Sequence, residues 1–331
     1  MKAAVLTAVQ TLQIQDVTRP HAGPGEVLIR LHAAALNHRD VWIKSGQYLG
    51  LKFPIIPGSD GAGVVVDVGD GVDKSWIDRD VIINPSLDWG HEERGQEPRF
   101  SILGLPKDGT FAEFIHVPVS QVVLKPTHLS WEEAAALPLS ALTAYRAVFT
   151  RGKLQPHEKV LITGIGAGTA LFALQFAAAA GGVPCVTSSS LGKLERAHQL
   201  GSRAGAIYIE PGWAQEFGKH HGPFDLIVDS AGGSGFTDLI DLCATGGRLV
   251  FFGATRGNPH ELPLRKLFWK QISLLGTTMG SPSDFASMME FVKVHAIKPV
   301  VSEVFSLDQV GHAFSRMETG EQMGKLVLRI D

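Results

Sequence analysis

Two hydrophobic patterns divide this chain of 331 residues. Over about the first 125 residues, short β-branched runs alternate with Gly- and Pro-rich turns, a pattern typical of an antiparallel barrel or sandwich. From about residue 129, six short apolar runs alternate with helix-length segments, which predicts a parallel sheet with helical crossovers. The β pattern returns near the C-terminus, in a strand expected to rejoin the first domain. We therefore predict an α/β protein with a β-rich domain (1–125 and 297–331) and a doubly wound, six-stranded parallel domain (126–296).

A glycine-rich turn follows the first strand of the second domain. The sequence VLITGIGAGTA, residues 160–170, matches the pattern G-x-G-x-x-A through Gly164, Gly166 and Ala170. The first glycine permits a tight turn, the second lets the backbone approach a pyrophosphate, and the helix N-terminus attracts the anion. The motif predicts a Rossmann dinucleotide-binding domain. The residues expected to bind the cofactor at this turn are Gly164, Gly166, Ala167, Gly168 and Thr169.

The end of the next strand bears on the choice of cofactor. A carboxylate about 20 residues after the glycine turn would bind the ribose of NAD. Here the sequence is Thr-Ser188-Ser189-Ser, followed by Lys193. Hydroxyls and an ammonium group can hold a 2′-phosphate, whereas a carboxylate would repel it. We therefore predict NADP(H) binding through Ser188, Ser189 and Lys193, with Gly253 and Ala254 as further contacts, although Lys193 could instead belong to a solvated helix face.

Composition excludes several classes of protein. The chain has a net charge of −3 and therefore lacks the basic surface expected of a nucleic-acid-binding protein. The apolar runs are too short to span a membrane, and the N-terminus does not resemble a signal peptide. The two cysteines, Cys185 and Cys243, cannot supply a four-thiolate zinc site. We expect a cytoplasmic protein with no nucleic-acid or membrane partner.

Four motifs occur together in an order that identifies a family. They lie at residues 58–64 (GSDGAGV), 108–114 (DGTFAEF), 136–145 (ALPLSALTAY) and 164–168 (GIGAG). In this combination the chain resembles the medium-chain dehydrogenase/reductase superfamily, and most of all its zinc-free quinone oxidoreductase (zeta-crystallin-like) and alcohol dehydrogenase-like branch. The resemblance implies a GroES-like catalytic domain built around a Rossmann domain. It also implies a homodimer, paired through the last Rossmann strand near residues 273–280.

The resemblance also bears on zinc. Zinc alcohol dehydrogenases place a Cys and a His at the positions of Asn37 and Ser59, and Asn and Ser are poor zinc ligands. A literal G-H-E-x-x-G lies at residues 90–95, but it stands in a long polar loop (84–108) rather than before a strand. We therefore predict that the protein has no zinc. The alternative is a zinc enzyme with unexpected ligands such as His38, Asp60 or His91.

Without a metal, hydride transfer depends on positioning and hydrogen bonds. Quinones and α,β-unsaturated carbonyl compounds suit this chemistry because both stabilise the developing anion internally. By resemblance, Asn37 and Asp40 are expected beside the nicotinamide as catalytic residues, with Tyr48 as a proton donor or ring-stacking group and Thr143 as a cofactor contact. Asp40 could equally cap the helix that follows it. The expected activity is NADPH-dependent reduction of quinones or enones. The alternatives are an aldehyde reductase or alcohol dehydrogenase, and an NADPH-binding protein without turnover.

Overall fold

The computed structural model describes residues 1–330, which fold as two compact units. The first contains residues 1–140 together with the chain from Gly280 onwards, and the second contains residues 141–279. None of the helices in residues 1–330 is long and apolar enough to cross a membrane. The hydrophobic pattern of the sequence predicts domain boundaries near residues 125 and 297 instead. The two helices between these alternative boundaries group with the first unit by their contacts, and the earlier one packs against four of its strands.

The first unit is β-rich, as expected for a GroES-like domain. Its helices are α1 (His38–Lys44), α2 (Trp131–Ala136), α9 (Pro282–Val294) and α10 (Val310–Thr319). Its strands are β1 (Lys2–Ala8), β2 (Thr11–Asp16), β3 (Glu26–Ala35), β4 (Asp60–Val68), β5 (Asp80–Ile83), β6 (Ser86–Leu87), β7 (Ser101–Ile102), β8 (Phe114–Pro118), β9 (Val122–Leu124), β16 (Val301–Ser306) and β17 (Lys325–Arg329).

The main sheet of this unit runs in the order β16-β17-β3-β4-β5-β9, with β8 also paired to β3. Its register brings three chain segments together. Ala35, at the end of β3, lies opposite Asp60 on one side and Val327 on the other. The residues around the end of β3, the start of β4 and the start of β17 therefore converge, although they are far apart in the sequence.

The second unit confirms the prediction of a parallel, six-stranded Rossmann sheet. The strands run in the order β12-β11-β10-β13-β14-β15, which is 3-2-1-4-5-6 in chain order, and every pairing is parallel. The strands are β10 (Lys159–Ile162), β11 (Val183–Ser188), β12 (Ala204–Ile207), β13 (Phe224–Asp229), β14 (Cys243–Phe251) and β15 (Ser273–Gly276). The helices are α3 (Pro138–Tyr145), which crosses the boundary, α4 (Gly168–Ala179), α5 (Leu191–Gln199), α6 (Trp213–His221), α7 (Phe236–Leu242) and α8 (Leu264–Lys270).

The polar loop at residues 84–108 is anchored within the first unit. Trp89 is buried, donates from its indole N–H to the carbonyl of Glu92 at 3.0 Å and packs edge-on against Phe100. The Glu93 carboxylate accepts hydrogen bonds from the hydroxyls of Ser281 and Ser283, at the start of α9. The loop is therefore hydrogen-bonded to the start of α9 and buries an aromatic residue of its own, despite its polar composition.

Candidate functional site

The glycine turn after β10 has the backbone that its sequence predicted. Gly164 and Gly166 have φ angles of +63° and +142°, which glycine adopts without strain. The Gly164 N–H donates to the Thr187 hydroxyl at 3.2 Å, and the Ile165 N–H donates to the Thr187 carbonyl at 2.8 Å. The turn is thereby tied to β11. Ala167 directly precedes α4, whose first residues are Gly168 and Thr169.

A cation lies over this turn. A Cβ atom placed on Gly166 would be 3.3 Å from the Lys193 ammonium nitrogen and 3.1 Å from its Cδ atom. Ser188, at the end of β11, is buried and accepts a hydrogen bond from the Ser190 N–H at 3.1 Å, while Ser189 is exposed beside it. A hydroxyl that accepts this bond can still donate its own hydrogen. The edge of the sheet thus combines a positive charge with hydroxyl donors.

The other residues predicted to contact the cofactor are also in the second unit. Gly253 and Ala254 follow β14, at the same carboxyl edge of the sheet as the glycine turn. Thr143 lies inside α3 and is buried, with its hydroxyl 4.0 Å from the Met279 sulfur. Asp229, which sequence reasoning missed, accepts a bond from the Thr163 hydroxyl at 2.5 Å and braces the two central strands. Cofactor contacts by Gly253, Ala254 and Thr143 stay predictions.

In the first unit, Asn37 is part of a buried, charged cluster. Its Nδ2 donates to Asp60 Oδ2 at 2.9 Å, and its Oδ1 accepts from the Lys325 ammonium at 2.6 Å. Lys325 also donates to Asp60 Oδ2 at 2.9 Å, and the other oxygen of Asp60 accepts from the Leu139 N–H at 2.8 Å. The side chains of Asp60 and Lys325 are 0% and 4% exposed. A buried carboxylate and ammonium therefore hold the amide from both ends.

Asp40 lies directly behind this cluster and anchors the start of α1. Its Oδ2 accepts from the Asn37 backbone N–H at 2.8 Å, while its buried Oδ1 has no hydrogen-bond partner within the described chain. Burial raises the pKa of Asp40 from 3.8 to about 6, against the opposing effect of Arg39. Asp40 is the third residue of α1, so it does not cap a helix that follows it; its carboxylate instead closes the first turn of α1 from within the helix.

Arg39 links a second group of residues and was not anticipated from the sequence. Its guanidinium is buried and donates to the Ser59 hydroxyl at 2.7 Å and to the Leu103 carbonyl at 2.8 Å. It also lies 5.0 Å from the ring of half-buried Tyr48, with Nε 3.4 Å from the phenol oxygen. The structure therefore connects Tyr48 to Ser59 through Arg39. Proton donation by Tyr48 stays a prediction.

The donor set of this cluster does not fit a zinc ion. Zinc is held in proteins by thiolate, imidazole or carboxylate groups. Asn37 and Ser59, at the two expected ligand positions, are neutral and are each hydrogen-bonded to a buried cation, Lys325 or Arg39. Burial raises the pKa of both cysteine thiols to about 11, which disfavours the thiolate form that binds metal. In residues 1–330, no group of three or more His, Cys, Asp or Glu residues is placed to hold a metal.

The two histidines considered as alternative ligands lie at the surface. His91 is exposed in the loop at residues 84–108. His38 is exposed at the start of α1, with its ring edge-on to Trp42 at 5.0 Å. Lys325, the residue that does reach Asn37, was missed because a single lysine at the start of an apolar strand gives no signal in sequence.

Family models match both units of the chain. The Alcohol dehydrogenase GroES-like domain model matches residues 23–127, and the Zinc-binding dehydrogenase model matches residues 168–294. A zinc-type alcohol dehydrogenase-like protein from Leptosphaeria maculans is 37% identical, over 96% of this chain and 94% of its own length. The chain belongs to the medium-chain dehydrogenase/reductase superfamily.

Other members of the medium-chain dehydrogenase/reductase superfamily extend the comparison. The crystal structure of an NAD-dependent alcohol dehydrogenase superposes with a TM-score of 0.95 at 37% identity, over 100% of both chains. An acryloyl-coenzyme A reductase from Metallosphaera sedula is 28% identical, over 99% of both chains. The superfamily thus includes relatives named as alcohol dehydrogenases and as an acryloyl-coenzyme A reductase, and the chain is an oxidoreductase of this type.

Proposed function

We propose that this oxidoreductase is a zinc-independent, NADPH-dependent reductase of α,β-unsaturated carbonyl compounds or quinones. The observation that carries the proposal is the engagement of Asn37 by Lys325 and Asp60. An amide held between two buried charges stands where the family resemblance leads one to expect a metal ligand. Substrates that delocalise negative charge need only hydrogen-bond donors at their oxygen, whereas unactivated carbonyl compounds gain most from a Lewis acid.

For an enone, the proposed reduction transfers a hydride to carbon and a proton from water. Bound NADPH supplies the hydride. When hydride adds to the β-carbon, the carbon–carbon π pair shifts toward the carbonyl, and the oxygen takes the negative charge of an enolate. We propose that Asn37 Nδ2–H donates to this oxygen and stabilises the charge as it develops. A proton from water then adds to the α-carbon and completes the saturated carbonyl product.

The preference for NADPH rests on the second unit. Lys193 places its ammonium beside Gly166, and hydroxyls instead of a carboxylate follow β11. This arrangement favours NADPH, the cofactor that carries an additional phosphate on its ribose. Among the relatives, the acryloyl-coenzyme A reductase supports an enone-type acceptor because an acryloyl thioester is an α,β-unsaturated carbonyl compound. The NAD-dependent alcohol dehydrogenase favours the second candidate, an NAD-linked reductase of aldehydes.

The proposed assembly is a homodimer. Strand β15 is at one edge of the Rossmann sheet, and α8 directly precedes it. Leu264, Phe268 and Trp269 on α8 are 66%, 67% and 80% exposed. Large apolar side chains grouped at a sheet edge are typical of a surface that is covered by a partner.

The test is consumption of NADPH or NADH by chelator-treated protein offered 1,4-quinones, enones and small aldehydes. Turnover of quinones or enones that survives chelation, with NADPH preferred, would support the proposal. Activity that is lost with the chelator and restored by zinc would refute zinc independence. Turnover of aldehydes alone would favour the second candidate. Cofactor binding without any turnover would refute the enzymatic function.

A further inference from the structure

The two ends of the Asn37 amide have partners of opposite kind. An ammonium group only donates hydrogen bonds, and a carboxylate only accepts them. The Lys325 nitrogen can therefore bond only to the amide oxygen, which lies 2.6 Å from it. The Asp60 oxygen can bond only to the amide nitrogen, which lies 2.9 Å from it. Rotation of the amide by half a turn would set donor against donor and acceptor against acceptor. The cluster consequently permits one orientation.

The Lys325 ammonium has no hydrogen left for a substrate. Its three N–H bonds correspond to three neighbours, which are Asn37 Oδ1, Asp60 Oδ2 and, more distantly, Ser140 Oγ at 3.5 Å. Asn37 Nδ2 carries two hydrogens and gives one to Asp60. Residues 1–330 offer no second acceptor for Nδ2, so one amide hydrogen is available in a fixed direction.

We propose that Lys325 and Asp60 are positioning residues that hold the Asn37 amide so that its second N–H faces the oxygen of the hydride acceptor. The inference rests on the proposed function, in which Asn37 donates to that oxygen. It assigns Lys325 a role exerted through Asn37 rather than through contact with substrate. The carboxylate and the ammonium balance each other's charge, so their burial does not leave a net charge at the amide.

A double-mutant cycle separates positioning from general stability. With an enone as acceptor, Lys325→Met is expected to lower kcat by about tenfold, because the amide loses its fixed orientation, while the Kd for NADPH stays unchanged. In an Asn37→Ala background, the same substitution should lower kcat by less than about twofold, because the group it orients is gone. Lys2→Met, which removes an exposed lysine paired with Asp308, is the matched control and should leave kcat unchanged.

Two kinetic results would overturn the inference. One is a kcat for Lys325→Met equal to that of the parent protein. The other is an equal loss in both backgrounds, which would mean that Lys325 does not act through Asn37. Binding of NADPH to each variant is measured by fluorescence and identifies any variant that has failed to fold.

A spectroscopic measurement tests the orientation without turnover. The chain has only three asparagines, Asn37, Asn84 and Asn258, so selective ¹⁵N labelling gives three side-chain amide pairs. The pair that disappears in Asn37→Ala is assigned to Asn37. In Lys325→Met, its hydrogen exchange with solvent should accelerate by at least about tenfold, since the oxygen is no longer held and the amide can rotate. The Asn84 pair serves as the internal control.

The two measurements distinguish the inference from the proposed function. If the parent protein reduces none of the acceptors, the proposed function fails, while the exchange rates still show whether Lys325 fixes the amide. If turnover occurs but the exchange of Asn37 does not respond to Lys325→Met, the positioning role is wrong and the proposed function stands.

Discussion

The ammonium nitrogen of Lys325 lies 2.6 Å from Oδ1 of Asn37, although 288 positions of sequence separate the two residues. The contact joins the final strand, β17, to the residue that precedes α1. It exists because β3 pairs with β17 on one side and with β4 on the other. The same register places Asp60 beside Lys325, and the Asp60 carboxylate compensates the positive charge of the buried ammonium.

Removal of this ammonium should destabilise the fold. In Lys325→Met, the buried Asp60 carboxylate loses its cationic partner, and breaking a buried pair in this way costs about 3–5 kcal/mol. Urea unfolding at pH 7.5 measures the change in the free energy of unfolding. Lys2→Met, at an exposed ion pair, should change it by less than about 1 kcal/mol. A loss of less than about 1 kcal/mol for Lys325→Met would contradict the expectation.

Asp40 should make stability depend on pH in a predictable direction. Its pKa is about 6 in the folded protein, above the ordinary 3.8, because burial disfavours the charged form. The folded state therefore binds the proton more tightly, and stability increases as pH falls through 6 toward 4. Asp40→Asn keeps an oxygen for the Asn37 N–H but removes the charge. Between pH 7.5 and pH 4, the parent protein should gain up to about 3 kcal/mol relative to this variant.

Urea unfolding of both proteins at several pH values measures this difference. The comparison cancels the titration of the other carboxylates. An identical pH dependence of the two proteins, or a parent protein that loses stability relative to the variant on acidification, would show that the pKa of Asp40 is not raised.

Lys193 should determine the choice between the two cofactors. If its ammonium binds the 2′-phosphate, Lys193→Met should weaken NADPH binding by about 10- to 100-fold, the usual effect of losing one charge-assisted hydrogen bond. NADH binding should change by less than about threefold. Fluorescence titration with both cofactors measures the ratio. Arg196→Met is the control on the same helix, since Arg196 bonds to Gln199. Equal losses for NADPH and NADH would place Lys193 at the shared pyrophosphate instead.

Trp269 should stabilise a dimer. Its side chain is 80% exposed on α8, beside the edge strand β15. Trp269→Lys introduces a charge that would have to be desolvated in an interface, so the dimer should dissociate at micromolar concentration. Light scattering after size exclusion measures the mass. Ile209→Lys alters another exposed apolar residue, next to β12 at the opposite edge of the sheet, and should leave the mass unchanged. A monomeric parent protein would exclude the dimer.

The cofactor domain was predictable because its signals are local. The spacing of Gly164, Gly166 and Ala170 fixes a turn between one strand and the next helix, and the alternation of apolar runs fixes a parallel sheet. The observed strand order 3-2-1-4-5-6 confirms the prediction of a doubly wound sheet. The hydroxyls after β11 and the absence of cysteine and histidine at residues 37 and 59 are also plain in the sequence.

The polar cluster was not predictable in the same way. Asn37 and Asp40 were identified by resemblance, but their partners come from other parts of the chain, and no periodicity marks Lys325 or Arg39. The sequence by itself determined the two-domain α/β fold, the glycine turn and the poor match to zinc ligands, since these depend on neighbouring residues. Only the tertiary structure decided that Asn37 is held between Lys325 and Asp60. Strand pairing between distant segments, rather than local preference, sets which buried charges meet.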